Sequence, residues 1–166
     1  MKSLFINDKD VKTFTSINGN LDIDRYINAV YLAQITHIQS MLGTDLYERL
    51  ETDIENDSLS GAYRSLLEDY IKPVLIHYSM VEMLPRIAYQ ISNKGIFKHR
   101  SENSETASAD EIDDMIERER SAAQFHADRF LDYIRNNTTT FPEYLSNSSS
   151  DMYPDHASYF TGFVLD

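Results

Sequence analysis

The feature that most constrains the fold is an apolar repeat between residues 60 and 91, whose steps of three and four residues match the α-helical period. Apolar side chains cover much of this segment's circumference, so we expect it to be the central and most buried element. Pro73 and Pro85 lie inside it, and each proline removes a backbone donor and crowds the carbonyl four residues earlier. We therefore expect one bent helix or two abutting helices, with the break nearer Pro73. The repeat consists of Leu66, Leu67, Tyr70, Ile71, Val74, Leu75, Tyr78, Val81, Leu84, Ala88 and Ile91.

Two helices are expected before residue 43. Asn7 or Asp8 can cap a short helix that runs through Phe14. A longer helix is predicted from Asp22, its expected N-cap, to Leu42, with Gln34 as the one polar break in its apolar stripe. The glycine that follows, at position 43, stands where a helix C-cap with a left-handed backbone belongs.

Two further helices follow from capping residues and spacing. Thr44 or Asp45 can cap a helix that closes at residues 56–58, and a last helix is expected from Ser108 or Asp110 to Asn136. Acidic residues crowd the first turn of that last helix, where negative charge suits the helix dipole.

After Thr138 the helical period disappears. Roughly a third of the 29 residues from 138 to 166 are large apolar or aromatic, more than a free tail would normally expose. We expect two apolar anchors, Phe141–Leu145 and Tyr159–Leu165, that are buried against other chains. Ser146–Asp151 is expected to be a tether between them. The predicted interaction residues are Phe141, Tyr144, Leu145, Tyr153, Tyr159, Phe160, Phe163 and Leu165.

The predicted fold class is therefore all-α. We expect a compact bundle of four to five helices over residues 1–137, followed by an extended non-helical C-terminal arm over residues 138–166.

Composition narrows the functional classes. The 166 residues include no Cys, which excludes disulfides and thiolate metal sites, and the net charge of −12 disfavours ordinary DNA or RNA binding. The first residues hold only a three-residue apolar run, too short for a signal peptide or a membrane span. We expect a soluble protein made in a cytoplasm, with no membrane partner.

The chain offers few candidates for chemistry. Its histidines are scattered, and Glu119 and His126 stand seven apart with no Glu-x-x-His motif, so we expect no metal, no cofactor and no enzymatic activity. A basic cluster contrasts with the acidic remainder. It is either a docking patch for an acidic partner or a complement to the dipole of the preceding helix, and both interpretations stay open. The cluster consists of Lys94, Lys98, His99 and Arg100.

Two motifs carry a family resemblance. With the helices laid out, the Leu-Gly-x-x-Leu-Tyr turn at 42–47 and the Tyr-Ile-x-Pro helix at 70–73 are similar to those of the small helical head–tail connector (adaptor or neck ring) proteins of tailed bacteriophages, of the crAss-like Bacteroides phage type. The resemblance spans roughly residues 1–136. Neither motif is a catalytic signature.

The resemblance implies a structural virion protein at the neck. Such a subunit forms a homo-oligomeric ring of about twelve copies between the portal protein and a further neck or tail protein, and DNA passes through its acidic channel without specific binding. The alternative is a monomeric helical module that captures one protein partner in a regulatory role. Particle imaging or native mass spectrometry would separate the two.

Overall fold

The computed structural model describes residues 3–15, 24, 26–92, 95–98, 108–146 and 151–154. These residues form six helices and one short antiparallel hairpin, and they confirm the predicted all-α bundle. The elements are α1 (Asp8–Phe14), α2 (27–42), α3 (Thr44–Glu55), α4 (61–88), β1 (Tyr89–Ser92), β2 (Gly95–Lys98), α5 (Ala109–Asn136) and α6 (Pro142–Ser146).

Helices α1 and α5 begin at the predicted capping residues. The side chains of Asn7 and Ser108 each accept a hydrogen bond from the backbone N–H three residues on. The carboxylates at those positions, Asp10 and Glu111, accept in turn from the backbone N–H of the capping residue. These reciprocal bonds are capping boxes, which satisfy donors that a helix start leaves open.

Helix α2 starts later than expected. Its N-cap is Tyr26 rather than Asp22, and Tyr26 is buried, with its hydroxyl donating to Asp8 of α1. The helix continues as an α-helix over Ile27–Ala33, widens to a π-helix over Gln34–Gln39, and ends as an α-helix over Ser40–Leu42. Burial of the Tyr26 ring thus fixes where the helix begins.

Gln34 is the polar break that the sequence placed in the α2 stripe, and its side chain is fully buried. Its Oε1 accepts from the backbone N–H of Phe5 at 2.8 Å, while its Nε2 donates to the Ser3 carbonyl at 2.9 Å and to the Tyr47 hydroxyl at 2.8 Å. Both amide hydrogens are used. One side chain therefore joins the N-terminal strip, α2 and α3.

Helix α4 is the central element, as predicted. It runs without interruption through Gly61–Ser65, a π-helical stretch over Leu66–Ile71, and Lys72–Ala88. The π-helical stretch ends two residues before Pro73, close to the position where a break was expected. Pro73 has no N–H for the carbonyl of Asp69, and that oxygen instead accepts from Arg129 at 3.0 Å.

The most extensive helix–helix contact joins α4 and α5. Tyr70 stacks on Tyr133 at 3.9 Å between ring centroids, whereas His77, further along α4, meets Glu119, earlier on α5. The two helices are therefore antiparallel. The core between and around them includes Leu66, Leu67, Ile71, Val74, Leu75, Ala123, Ala127, Phe130, Leu131 and Ile134.

A β-hairpin replaces the expected end of α4. The sequence assigned Ile91 to the helical repeat, but β1 pairs with β2 in a register that sets Tyr89 opposite Lys98 and Ser92 opposite Gly95. The prediction was wrong here because β-branched and aromatic residues lie on both sides of the Asn-Lys-Gly sequence, a pattern that favours a hairpin.

Helix α6 lies inside the segment predicted to be non-helical. Pro142 is its first residue, a position where a missing N–H costs nothing. Phe141 and Tyr144 are buried in the core of their own chain, and Phe141 meets Tyr63 edge-on at 5.2 Å. The prediction that these two rings are buried against other chains is therefore wrong, and the core extends past the expected domain boundary at residue 137.

Replacing Gln34 tests how much the three-way contact stabilises the bundle. We expect Gln34→Leu to lower the free energy of unfolding by about 3 kcal/mol, because the buried Phe5 N–H and Ser3 carbonyl lose their partners. Urea denaturation followed by circular dichroism measures the change. The control is Gln124→Leu, whose amide only meets Asp128 on the surface, and it should cost less than about 0.5 kcal/mol. Equal losses in the two variants would contradict the assignment.

Candidate interaction surfaces

The described residues after α6 return to the corner between α2 and α3. The backbone N–H of Thr44 donates to the Met152 carbonyl at 2.9 Å, and the Met152 N–H donates to Thr44 Oγ1 at 3.1 Å. Thr44 Oγ1 in turn donates to the Asp151 carboxylate at 3.0 Å. We call this set the corner contact. The Thr44 hydroxyl bonds to this distant segment and does not cap α3, whose N-cap is Gly43.

Gly43 makes the corner contact possible. Its φ of 73° is positive, as the sequence predicted, and with a ψ of 161° it lies in a region that is essentially restricted to glycine. Pro154 packs directly on it, with its Cδ 2.6 Å from the position that a Cβ would occupy. Asp151, the expected end of a tether, is therefore fixed on its own domain.

Three apolar side chains of the last two described segments remain exposed. Tyr153 is 69% exposed and Leu145 is 63% exposed, while Met152 lies beside Tyr153. Leu145 belongs to α6, which is held against α3 by an ion pair of 3.3 Å between Glu143 and Arg49. We call Leu145, Met152 and Tyr153 the α3 patch.

A second surface lies where α1, α4 and α5 meet. A groove of about 350 Å³ opens there, and we call it the histidine groove. Phe14 lies at its α1 side and is 67% exposed, and Phe125, which meets His126 edge-on at 5.3 Å, is 66% exposed. The groove is lined by Asp10, Phe14, Glu68, Lys72, Pro73, Ile76, His77 and His126.

Lys72 is already engaged within the groove. Its Nζ lies 2.9 Å from a Glu68 oxygen and 3.3 Å from an Asp10 oxygen. Burial acts to lower the pKa of Lys72, but the two carboxylates outweigh it and raise that pKa. The ammonium therefore stays charged and largely neutralised by its neighbours.

Two imidazoles, one from α4 and one from α5, line the groove. His77 Nδ1 lies 2.7 Å from Glu119 Oε2, and the His77 ring is nearly parallel to that of His126, with 5.4 Å between centroids. His126 Nδ1 is buried and has no hydrogen-bond partner among the described residues. Burial, followed by the neighbouring His77 and Arg129, lowers the pKa of His126.

His37 lies at a separate contact between α2 and α4. Its ring stacks on Tyr78 at 3.8 Å, and its Nε2 lies 3.9 Å from Glu82. Burial lowers the pKa of His37, against the opposing effect of Glu82. Within the described part of the chain, no group of three or more His, Asp or Glu residues has a geometry that could hold a metal ion.

The predicted interaction residues divide into three sets. Phe141 and Tyr144 belong to the core, whereas Leu145 and Tyr153 are exposed on the α3 patch. Lys98 lies in β2, where only its backbone is described. Tyr159, Phe160, Phe163, Leu165, Lys94, His99 and Arg100 lie outside the described residues.

Neither aromatic residue beside the groove, Phe14 or Phe125, was among the predicted interaction residues. Yet Phe125 is two residues from Ala123 and from Ala127, both buried, and two residues correspond to about 200° around a helix. The helical phase contained the signal that Phe125 faces away from the core.

None of the described helices has a stretch long and apolar enough to cross a membrane.

These features define a helical-bundle protein with two exposed apolar surfaces. The chain belongs to a family of unknown function, DUF6712, whose model matches residues 38–153. The matched region begins within α2 and ends at Tyr153, so it includes the corner contact. No curated protein and no solved structure matches the chain.

Gly43 and Gly61 form a matched pair for testing the corner contact. Both have positive φ, but nothing lies within 4 Å of a Cβ built at Gly61. We expect Gly61→Ala to cost about 1 kcal/mol from backbone strain alone. Gly43→Ala should cost about 3 kcal/mol or more, because it adds a clash with Pro154 in a region of φ and ψ restricted to glycine. Thermal unfolding measures both, and similar losses would contradict the role assigned to Pro154.

The two partly buried histidines, His37 and His126, predict a loss of stability in acid. Because the pKa values of His37 and His126 are lower in the folded chain, the unfolded chain binds protons first as the pH falls below about 6.5. Their stabilising contribution is full above that pH and declines below it. Urea midpoints measured between pH 7.5 and 5 should fall, and the double variant His37→Gln/His126→Gln should reduce the slope. An unchanged slope would contradict the prediction.

Proposed function

We propose that this chain is a structural virion subunit that forms a ring between portal and tail and has no enzymatic activity. The observation that carries the proposal is the pair of exposed apolar surfaces, the α3 patch and the histidine groove, which share no helix. A closed ring requires heterologous contacts, in which one surface of a subunit docks on a different surface of the next.

The character of the two surfaces suits such a contact. The α3 patch presents Tyr153 on a backbone segment held by hydrogen bonds to Thr44. The other surface is concave and has exposed aromatic residues beside it. Aromatic side chains that fill a pocket on a partner are the usual energetic centre of a protein interface. An exposed aromatic residue on a held backbone, together with a groove elsewhere on the subunit, therefore supports subunit–subunit docking.

The net charge supports the proposed channel. Each copy carries −12 formal charges, so a ring of such copies repels the phosphate backbone of DNA. DNA that passes through the ring then meets no adhesive surface. The resemblance to head–tail connectors, which rests on the turn at 42–47 and the helix at 70–73, points to the same location in the virion.

The decisive measurement is the oligomeric state of the purified chain. Native mass spectrometry and negative-stain imaging should show a closed multimer of about twelve copies. The double variant Leu145→Ser/Tyr153→Ser should shift the chain to monomers, because both side chains are exposed in the subunit and leave its core intact. Point variants are preferable to deleting residues 141–166, since the deletion would remove two core aromatic residues.

The control is Met115→Ser, which alters an exposed apolar side chain on α5 outside both surfaces. It should assemble like the wild type. A wild-type chain that remains monomeric and binds one protein partner in a 1:1 complex would support the regulatory module instead. A multimer that is unaffected by Leu145→Ser/Tyr153→Ser would overturn the role of the α3 patch.

A further inference from the structure

We infer that the histidine groove of one copy accepts the C-terminal segment, residues 155–166, of a second copy. This inference rests on the proposed ring and names the contact that closes it. It assigns an acceptor to Tyr159, Phe160, Phe163 and Leu165, the predicted anchors that lie outside the described residues.

The groove has the composition of an aromatic acceptor. Apart from Phe14, Phe125 and the two most exposed residues of the α3 patch, no large apolar side chain in the described ranges is more than 41% exposed. Pro73 and Ile76 add apolar surface to the groove itself. Two aromatic rings that are two-thirds exposed beside one groove bury substantial apolar area only when a second apolar segment covers them.

The charged groups of the groove are already engaged with one another. Lys72 pairs with Asp10 and Glu68, and Glu119 is engaged by His77. In residues 155–166 the aromatic and aliphatic side chains lie between Asp155 and Asp166. The proposed contact therefore rests on the burial of apolar surface and not on charge.

The point where the segment leaves the domain makes a second copy reachable. Pro154 is fixed on Gly43, next to the exposed Tyr153. The twelve residues that follow can reach about 40 Å when extended. A contact that starts at the α3 patch of one copy can therefore continue without a gap into the groove of its neighbour.

A peptide-binding assay tests the groove directly. A fluorescein-labelled peptide of residues 155–166 is titrated with the full-length variant Phe160→Ser/Phe163→Ser, whose own segment competes weakly. We expect saturable binding by fluorescence anisotropy, at least about tenfold weaker when Phe14→Ser and Phe125→Ser are added. Met115→Ser in the same background should leave the affinity unchanged. Equal binding with and without the groove substitutions, or equal binding of a scrambled peptide, would overturn the inference.

Cysteine cross-linking identifies which copy supplies the segment, because the natural chain has no Cys. Ser121 lies one turn before Phe125 and is exposed. Mixing a Ser121→Cys chain with a Ser158→Cys chain under mild oxidation should give a disulfide between the two. If the chain carrying both substitutions instead forms only an internal disulfide at all concentrations, the segment binds its own groove and the assignment to a second copy fails.

The two proposals fail differently. A wild-type chain that stays monomeric at every concentration overturns the ring and the second-copy assignment together. A wild-type ring that assembles unchanged with Phe14→Ser/Phe125→Ser overturns the groove assignment alone. The expected result is a multimer that both the groove variant and Phe160→Ser/Phe163→Ser dissociate, with unfolding midpoints close to that of the wild type.

Discussion

The rest of the structure depends on the buried amide of Gln34. Burying an amide costs several kcal/mol unless its hydrogen bonds to water are replaced. Here the Gln34 amide makes three hydrogen bonds within the protein, with Phe5, Ser3 and Tyr47. Because the three partners come from separate parts of the chain, the amide is satisfied only when the N-terminal strip, α2 and α3 are all in place. A polar group in an apolar stripe therefore specifies how these elements meet, which apolar packing alone would leave less determined.

The same principle operates at two other points, where a residue that disrupts the backbone is matched by a distant partner. Pro73 frees the carbonyl of Asp69, and Arg129 both donates to that oxygen and stacks on Tyr70 with 4.6 Å to the ring centroid. This contact helps to set the register of α5 against α4. Gly43 ends α2 with a non-helical backbone conformation, and its lack of a side chain leaves room for Pro154, which anchors the segment after α6.

The sequence was sufficient for whatever depends on local chemistry. Periodicity and capping residues predicted α1, α3 and α5 closely, because a capping box at Asn7 or Ser108 acts within four residues. The hairpin and the exposure of Phe125 were missed although a local signal was present, and the other failures arose where a distant contact decides the outcome. Phe141 and Tyr144 looked like exposed anchors because their covering residues, such as Tyr63, lie far away in the chain. The groove could not be foreseen either, since it needs α1, α4 and α5 in their final positions.

The corner contact explains why a stable domain can also keep apolar surface exposed. Its hydrogen bonds use the backbone of Met152 and the hydroxyl of Thr44, and its packing uses Pro154 on a glycine. None of these interactions involves the Tyr153 ring, so that ring is left outside while its backbone is held rigidly. A backbone segment that is fixed before binding loses little conformational entropy when a partner covers its side chains. The segment that carries the exposed ring is thus preorganised for a neighbour, and the contacts that hold it do not require the ring to be buried.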